Sequence, residues 1–205
     1  PKYLNYKNKN KIDLGGTWLS RSFYSGIISS PIQIDMVKEI PYIGTGLIRK
    51  SFIQEYNYLF DPGYFFYGED VDLGLRIRLT GKKIYYLPNS VVYHKGSQSR
   101  KVHNSDYLTY LMERNLLRTF FTNLEFKNII IFFPYVFIMR IIGIIRDLFK
   151  FQFKDSLARV KAIFYVILNF DSIFNKRISV QKKRIIKDNK LLKVFSEKYI
   201  WKQRF

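Results

Sequence analysis

The chain has no cysteine. Disulfides, thiolate zinc sites, haem attachment and a thiol nucleophile are thereby excluded, and a reducing compartment suits it. Histidine is nearly as scarce, with only His94 and His103. Acidic residues are few: 16 Asp+Glu face 35 Lys+Arg, a net charge of +19. No N-terminal signal pattern, internal repeat or low-complexity linker is visible. The only D-x-D is Asp70-Val71-Asp72. The first residue is Pro1 rather than Met, which reads as a fragment or a processed product.

What is present is apolar and basic. Hydrophobic residues make up 47% and aromatics 18% of 205 residues, enough for one domain with an appendage and a sizeable core. Up to Asp106 there are 15 Lys+Arg against 9 Asp+Glu, or +6; from Tyr107 there are 20 against 7, or +13. The more basic half also holds the long apolar runs. Nucleic-acid domains rarely combine the two, so no nucleic acid is expected as a partner. An anionic membrane surface selects that combination.

The run Ile129 to Met139 is wholly apolar, but Arg140 ends it. A spanning helix needs roughly 20 apolar residues, and a mid-bilayer Arg costs about 2.5–3.5 kcal/mol. Arg140, Gly143, Asp147 and Lys150 recur at helical spacing on one face. That predicts an amphipathic helix lying in an interface, with packing as ordinary core or a true span as the alternatives.

The most informative stretch is Phe66-Tyr67-Gly68-Glu69-Asp70-Val71-Asp72-Leu73-Gly74-Leu75-Arg76. Three carboxylates crowd the start of a helical pattern, where backbone N–H groups and the macrodipole favour negative charge. A carboxylate aimed there suits a general base. The plain alternative is an acidic first turn with Asp72 and Arg76 as an i,i+4 pair. Around it, residues 1–11 read as extended or loop, and Ile40 to Ile48 as a strand into Gly44-Thr45-Gly46. Lys50 to Tyr58 reads as a short helix with Ser51 as a cap, and Asp61-Pro62-Gly63 as a turn. Glu69 to Thr80 reads as a helix stopped by Gly81, followed by strands Lys83 to Pro88 and Ser90 to His94. Helices are predicted over 106–123, 128–150, 155–171 and 178–199, the last with a break near Asp188-Asn189.

This order resembles the second half of the catalytic domain of family 2 glycosyltransferases, the rhamnosyltransferase-like branch with the GT-A fold. Residues 43 to 99 carry the likeness, and Tyr110-Leu111-Met112-Glu113-Arg114-Asn115 resembles the family's tyrosine-arginine-asparagine helix. Asp13-Leu14-Gly15-Gly16 resembles its Gly-rich element. The resemblance implies an α/β fold: residues 1–105 as the acceptor-side, C-terminal half of a GT-A, Rossmann-like domain, and 106–205 as a basic helical, membrane-associating extension.

The function implied is inverting transfer of a sugar from a nucleotide-sugar donor to a lipid-linked or polysaccharide acceptor, peripherally at the cytoplasmic face of the cell membrane. Asp70 is implied as the base, with Glu69 and Asp72 orienting or structural. Gly44, Thr45 and Gly46 would let backbone approach the donor sugar, Phe66 and Tyr67 would floor the acceptor pocket, and Arg76 belongs to the substrate-binding set. His94 would ligate a divalent metal, Mn²⁺ or Mg²⁺, imidazole being a good ligand for the first and a poor one for the second; the alternative is that it only hydrogen-bonds diphosphate or backbone. Lys95, Arg100 and Lys101, beside the Gly96-Ser97 loop, could clamp phosphate. The family's nucleoside-binding strand and its metal-binding D-x-D have no counterpart, so the metal would require aspartates not present in this chain. The sequence therefore looks like a glycosyltransferase lacking its donor-binding half; the alternative is a non-catalytic membrane-associated module or subunit.

Overall fold

The computed structural model describes residues 1–28, 36–56, 58–95 and 103–197. The Gly96-Ser97 loop, Arg100 and Lys101 lie outside the described residues. The architecture is mixed α/β, with seven α-helices and three small sheets among the described residues.

In the first sheet, β1 (Lys2–Asn5) lies between β2 (Ile12–Leu14) and β7 (Val91–His94), antiparallel to β2 and parallel to β7. Residues 1–11 thus hold a central strand, which their polarity hid. Tyr3, its one buried residue, sets the inward face. The hairpin β3 (Thr17–Leu19) and β4 (Ser25–Ile27) forms the second sheet, and β5 (Lys38–Glu39) with β6 (Tyr85–Tyr86) the third.

The strand expected over Ile40 to Ile48 is absent. Side chains take the carbonyls that a neighbouring strand would use. Arg78 donates to Pro41 O at 3.2 Å and to Ile40 O, and Thr17 Oγ1 donates to Tyr42 O at 2.6 Å. The strand expected over Lys83 to Pro88 contracts to β6. Helix α1 (Lys50–Tyr56) begins before Ser51, so Ser51 is not its cap.

Helix α2 (Glu69–Leu79) is the hub. Val71, Leu75 and Leu79 enter the main core with Leu116, Phe120 and Val136; Leu73 and Ile77 enter a second core with Phe52, Tyr56 and Tyr86. Gly81, at φ 77°, stops the helix as expected. At Gly74 the helix meets Pro41 and Tyr42 so closely that an added methyl would lie 2.7 Å from Pro41 O.

The second half comprises α3 (Ser105–Asn123), α4 (Phe126–Phe149), α5 (Phe153–Leu168), α6 (Phe170–Gln181), α7 (Asp188–Leu191) and a 3₁₀ turn, Leu192–Val194. The single helix expected over 178–199 is replaced by the end of α6 and the short α7. The break lets Asp188 reach the start of α4. Its carboxylate accepts the Glu125 N–H at 2.7 Å, a backbone donor that a helix N-terminus leaves open, and the Asn128 side chain through Nδ2 at 2.8 Å. The main core draws on Leu19 and Leu191 alike, so it crosses the expected 105/106 boundary.

In α4 the expected polar face exists but points inward: Arg140, Gly143 and Asp147 are buried, and only Lys150 is exposed. Arg140 donates to Phe23 O at 3.1 Å and to Ser22 O, and its Nε lies 3.3 Å from Glu113 of α3. Arg159 of α5 pairs with Glu113 and, at 2.7 Å, with Asp147. The apolar stripe is not ordinary core; most of it faces outward.

Candidate active site

The loop before α2 is held in an unusual shape. Phe65 and Tyr67 have φ of 61° and 59°, a region costly for aromatic residues, and Gly68 follows at 81°. Asn115 of α3 fixes it. Its Nδ2 donates to the carbonyls of Tyr64 and Phe66 at 2.9 Å each and to that of Tyr67 at 2.5 Å. Arg114 donates to Tyr64 O at 2.9 Å and Arg118 to Gly63 O at 2.6 Å. The Arg-Asn pair of the helix resemblance is thus the clamp on the acidic loop, a role that sequence order alone does not reveal.

The clamp delivers Glu69 and Asp70 to the first turn of α2. Asp70 Oδ1 accepts the Val71 N–H at 2.8 Å. Burial first, and the Glu69 charge second, push the Asp70 carboxyl up to about 7, against the Val71 hydrogen bond that favours its ionised form. Burial raises the Glu69 carboxyl too. Glu69 Oε2 is enclosed and accepts no hydrogen bond among the described residues.

Gly44 comes beside this carboxylate: a methyl group there would sit 3.9 Å from Asp70 Oδ2. Next to it, Thr45 O accepts the Tyr3 hydroxyl at 3.0 Å. Burial, with the Asp70 charge as a further cause, raises the Tyr3 and Tyr42 hydroxyls. Tyr3 in turn meets His94 edge to face at 6.0 Å. The structure therefore brings Gly44, Thr45, Tyr3, His94 and Asp70 into one connected group. Thr45 and Gly46 also line a cavity of about 980 Å³ with apolar walls that include Ile43, Phe52 and Val92, and with Arg49, Lys82 and Lys83.

Other expected site residues fall elsewhere. Asp72 and Arg76 are both buried, joined at 2.7 Å. Arg76 also donates to Leu59 O at 2.7 Å and lies over the rings of Tyr56 and Tyr58. Enclosed this way, it offers nothing to a surface ligand, and the pair acts as packing. Asn123 completes Asp72 at 3.2 Å. Phe66 and Tyr67 pack together with ring centroids 4.5 Å apart. Phe66 continues to His103 at 6.3 Å, and His103 to Tyr107 at 5.6 Å. That aromatic edge includes a histidine given no role in the sequence reading. Lys95 lies over the Tyr6 ring at 5.1 Å.

His94 Nδ1 stands 3.5 Å from Asp13 Oδ2, and Asn5 Nδ2 holds Asp13 at 3.2 Å. Asp13 belongs to the Gly-rich string Asp13-Leu14-Gly15-Gly16, but nothing local pairs it with His94. A histidine and one carboxylate are too few to hold a divalent ion, and no group of three or more His, Asp or Glu able to do so occurs among the described residues. The residues present do not by themselves fit the metal expected from the resemblance.

No protein-family model, curated protein or solved structure matches the chain.

Proposed function

We propose that the chain is the acceptor-side half of a GT-A glycosyltransferase, with Asp70 as general base for inverting transfer from a nucleotide-sugar to a lipid-linked or glycan acceptor. The observation that carries this reading is the clamped loop: Asn115 and Arg114 hold the turn that presents Asp70 beside Gly44 at the start of α2, where burial and Glu69 raise its carboxyl to about 7. A base in that range takes a hydroxyl proton efficiently at neutral pH. In the step, the acceptor hydroxyl attacks the anomeric carbon. Its proton passes to Asp70 Oδ, the glycosidic bond to the nucleoside diphosphate breaks on the opposite face, and the electron pair leaves with the diphosphate. Inversion comes from the family resemblance. The nearby cavity supports a lipid-linked acceptor, since apolar walls with three cations suit an amphiphilic anion. The donor nucleotide and any metal would be held largely by residues outside this chain. The site would work peripherally at the cytoplasmic membrane face.

The test is nucleoside diphosphate release with a panel of nucleotide-sugars and Mn²⁺ or Mg²⁺. The assay uses the chain alone and the chain joined to a donor-binding half. The joined protein should turn over, and Asp70→Asn should cut kcat by about 10²–10⁴-fold with donor binding nearly unchanged. Wild-type kcat in Asp70→Asn would refute the base. Metal-dependent turnover by the chain alone would refute the half-domain reading. A joined protein without transfer would favour the non-catalytic module.

A further inference from the structure

A surface helix of a water-soluble domain ordinarily turns its apolar stripe inward. Helix α4 does the reverse. Its charged residues Arg140 and Asp147 are enclosed by Glu113 and Arg159, while Ile131, Phe137, Ile138, Ile141, Ile145 and Leu148 face out. Between Lys127 and Lys150, no charged side chain on α4 is fully exposed.

The exposed face continues sideways. Rings run from Phe137 to Phe133 at 5.9 Å, to the half-buried Phe121 at 6.1 Å, and on to the exposed Phe170 at 6.1 Å and Phe174 at 6.2 Å, linking α4 to α6 across α3. It also continues past the end of α4. There Phe149 and Phe151 are 81% and 80% exposed and Phe153 is 60% exposed, with Lys150 between the first two and Lys154 after the third.

The backbone at this tip breaks a local rule. Phe151 occupies the left-handed position after the helix, at φ 57°, where glycine is usual. Its N–H bonds Leu148 O at 3.0 Å, and the Gln152 N–H bonds Asp147 O at 2.8 Å. A phenylalanine is held in a strained conformation and gains little packing in water.

We propose that the outer face of α4, the aromatic edge of α6 and the Phe149–Phe153 tip form one docking surface for an anionic lipid bilayer. Helix α4 lies in the membrane plane, the tip rings enter the acyl region and Lys150 and Lys154 meet lipid phosphates. Charge selects this occupant: the half from Tyr107 carries +13, and exposed lysines stand at both ends of α4. Helix α4 is long and apolar enough to cross a membrane, so its inner contacts select the orientation. Protein contacts line the inner face from Asn128, bound by Asp188, to Asp147, bound by Arg159. A spanning α4 would carry those ion pairs and the β3–β4 hairpin into hydrocarbon. This inference rests on the membrane part of the proposed function and not on its catalytic part, and its test measures lipid rather than transfer.

The experiment is co-sedimentation of the chain with vesicles of phosphatidylcholine, with and without phosphatidylglycerol, across ionic strength and after carbonate washing. Binding is expected to favour the anionic vesicles, to weaken with salt without vanishing, and to be released by carbonate. Replacing Phe149, Phe151 and Phe153 together by Ser should lower partitioning at least about tenfold with the melting temperature unchanged. Phe151→Gly should weaken binding and raise the melting temperature together, which a purely structural residue would not do. Retention in carbonate-washed membranes would overturn the in-plane geometry. Absence of vesicle binding, or a reversible dimer abolished by the triple substitution, would assign the face to protein contact and overturn the proposal.

Discussion

Asp70 behaves in two ways at once, as a candidate base and as a liability to the fold. Its carboxyl is raised from an ordinary 3.8 to about 7, so the native state binds its proton more tightly than the unfolded chain does. The stability tied to that proton is complete below about pH 4 and is lost as pH climbs through about 7. Asp70→Asn should therefore stabilise the protein by about 2–4 kcal/mol at pH 8 and by nothing near pH 3.5, checked by thermal melts at both values. His94 makes the opposite case. It is half exposed and pairs only loosely with Asp13, so His94→Ala should barely move the melting temperature. If the proposed function holds, the same substitution in the chain joined to a donor-binding half should weaken metal dependence and donor affinity, read by metal titration. A lowered melting temperature with an unchanged metal Kd would make His94 structural. The sequence marked Asp70 and His94 because each sits in a recognisable local string. It could not mark Asp13 as the partner of His94, since only the pairing of β1 with both β2 and β7 brings them together.

The elements differ in how much of themselves they declare. Helix α2 alternates Val71, Leu73, Leu75, Ile77 and Leu79, a strand-like period, yet it is a helix because two cores receive its opposite sides. Its acidic start and glycine stop carry the signal instead. Gly74 marks the contact that fixes it: an added methyl would lie 2.4 Å from Tyr42 Cβ and 2.7 Å from Pro41 O, and the backbone cannot yield. Gly74→Ala should raise intrinsic helix propensity and still destabilise the protein by about 2–4 kcal/mol through overpacking, measured by urea denaturation. Helix α4 was legible in length and in period, but not in direction. A wheel shows that Arg140 and Asp147 share a side; it cannot show that Glu113 and Arg159 wait there to neutralise them. The segment 40–48 failed as a strand for a similar reason, since Arg78 and Thr17 reach its carbonyls from distant parts of the chain.

At the scale of the whole molecule, the charge network around Glu113 joins what composition divides. It ties α3 to Arg140 of α4 and Arg159 of α5, and through Arg140 to the turn of the β3–β4 hairpin. Glu113→Gln strips the buried Arg140 of its carboxylate and leaves Arg159 only Asp147, which Arg146 shares, and should cost about 3–5 kcal/mol. Both halves should then melt together, in one transition shifted to lower temperature, by circular dichroism and by tyrosine fluorescence. Two separated transitions would show that the halves are independent units after all.

The sheet order β2-β1-β7 also governs the sequence of events in folding. β1 meets β2 across a short turn, so that hairpin can form as soon as the first residues are free. Its other neighbour arrives much later: Lys2 pairs with Val91, a loop closure of roughly ninety residues that is entropically slow. During synthesis β1 must wait with one edge bare, and that edge is a template for wrong pairing until β7 emerges. The same event seats His94 beside Asp13 after the α2 helix that carries Asp70 has emerged, and the Asn115 clamp, later still in the chain, closes the Asp70 loop last.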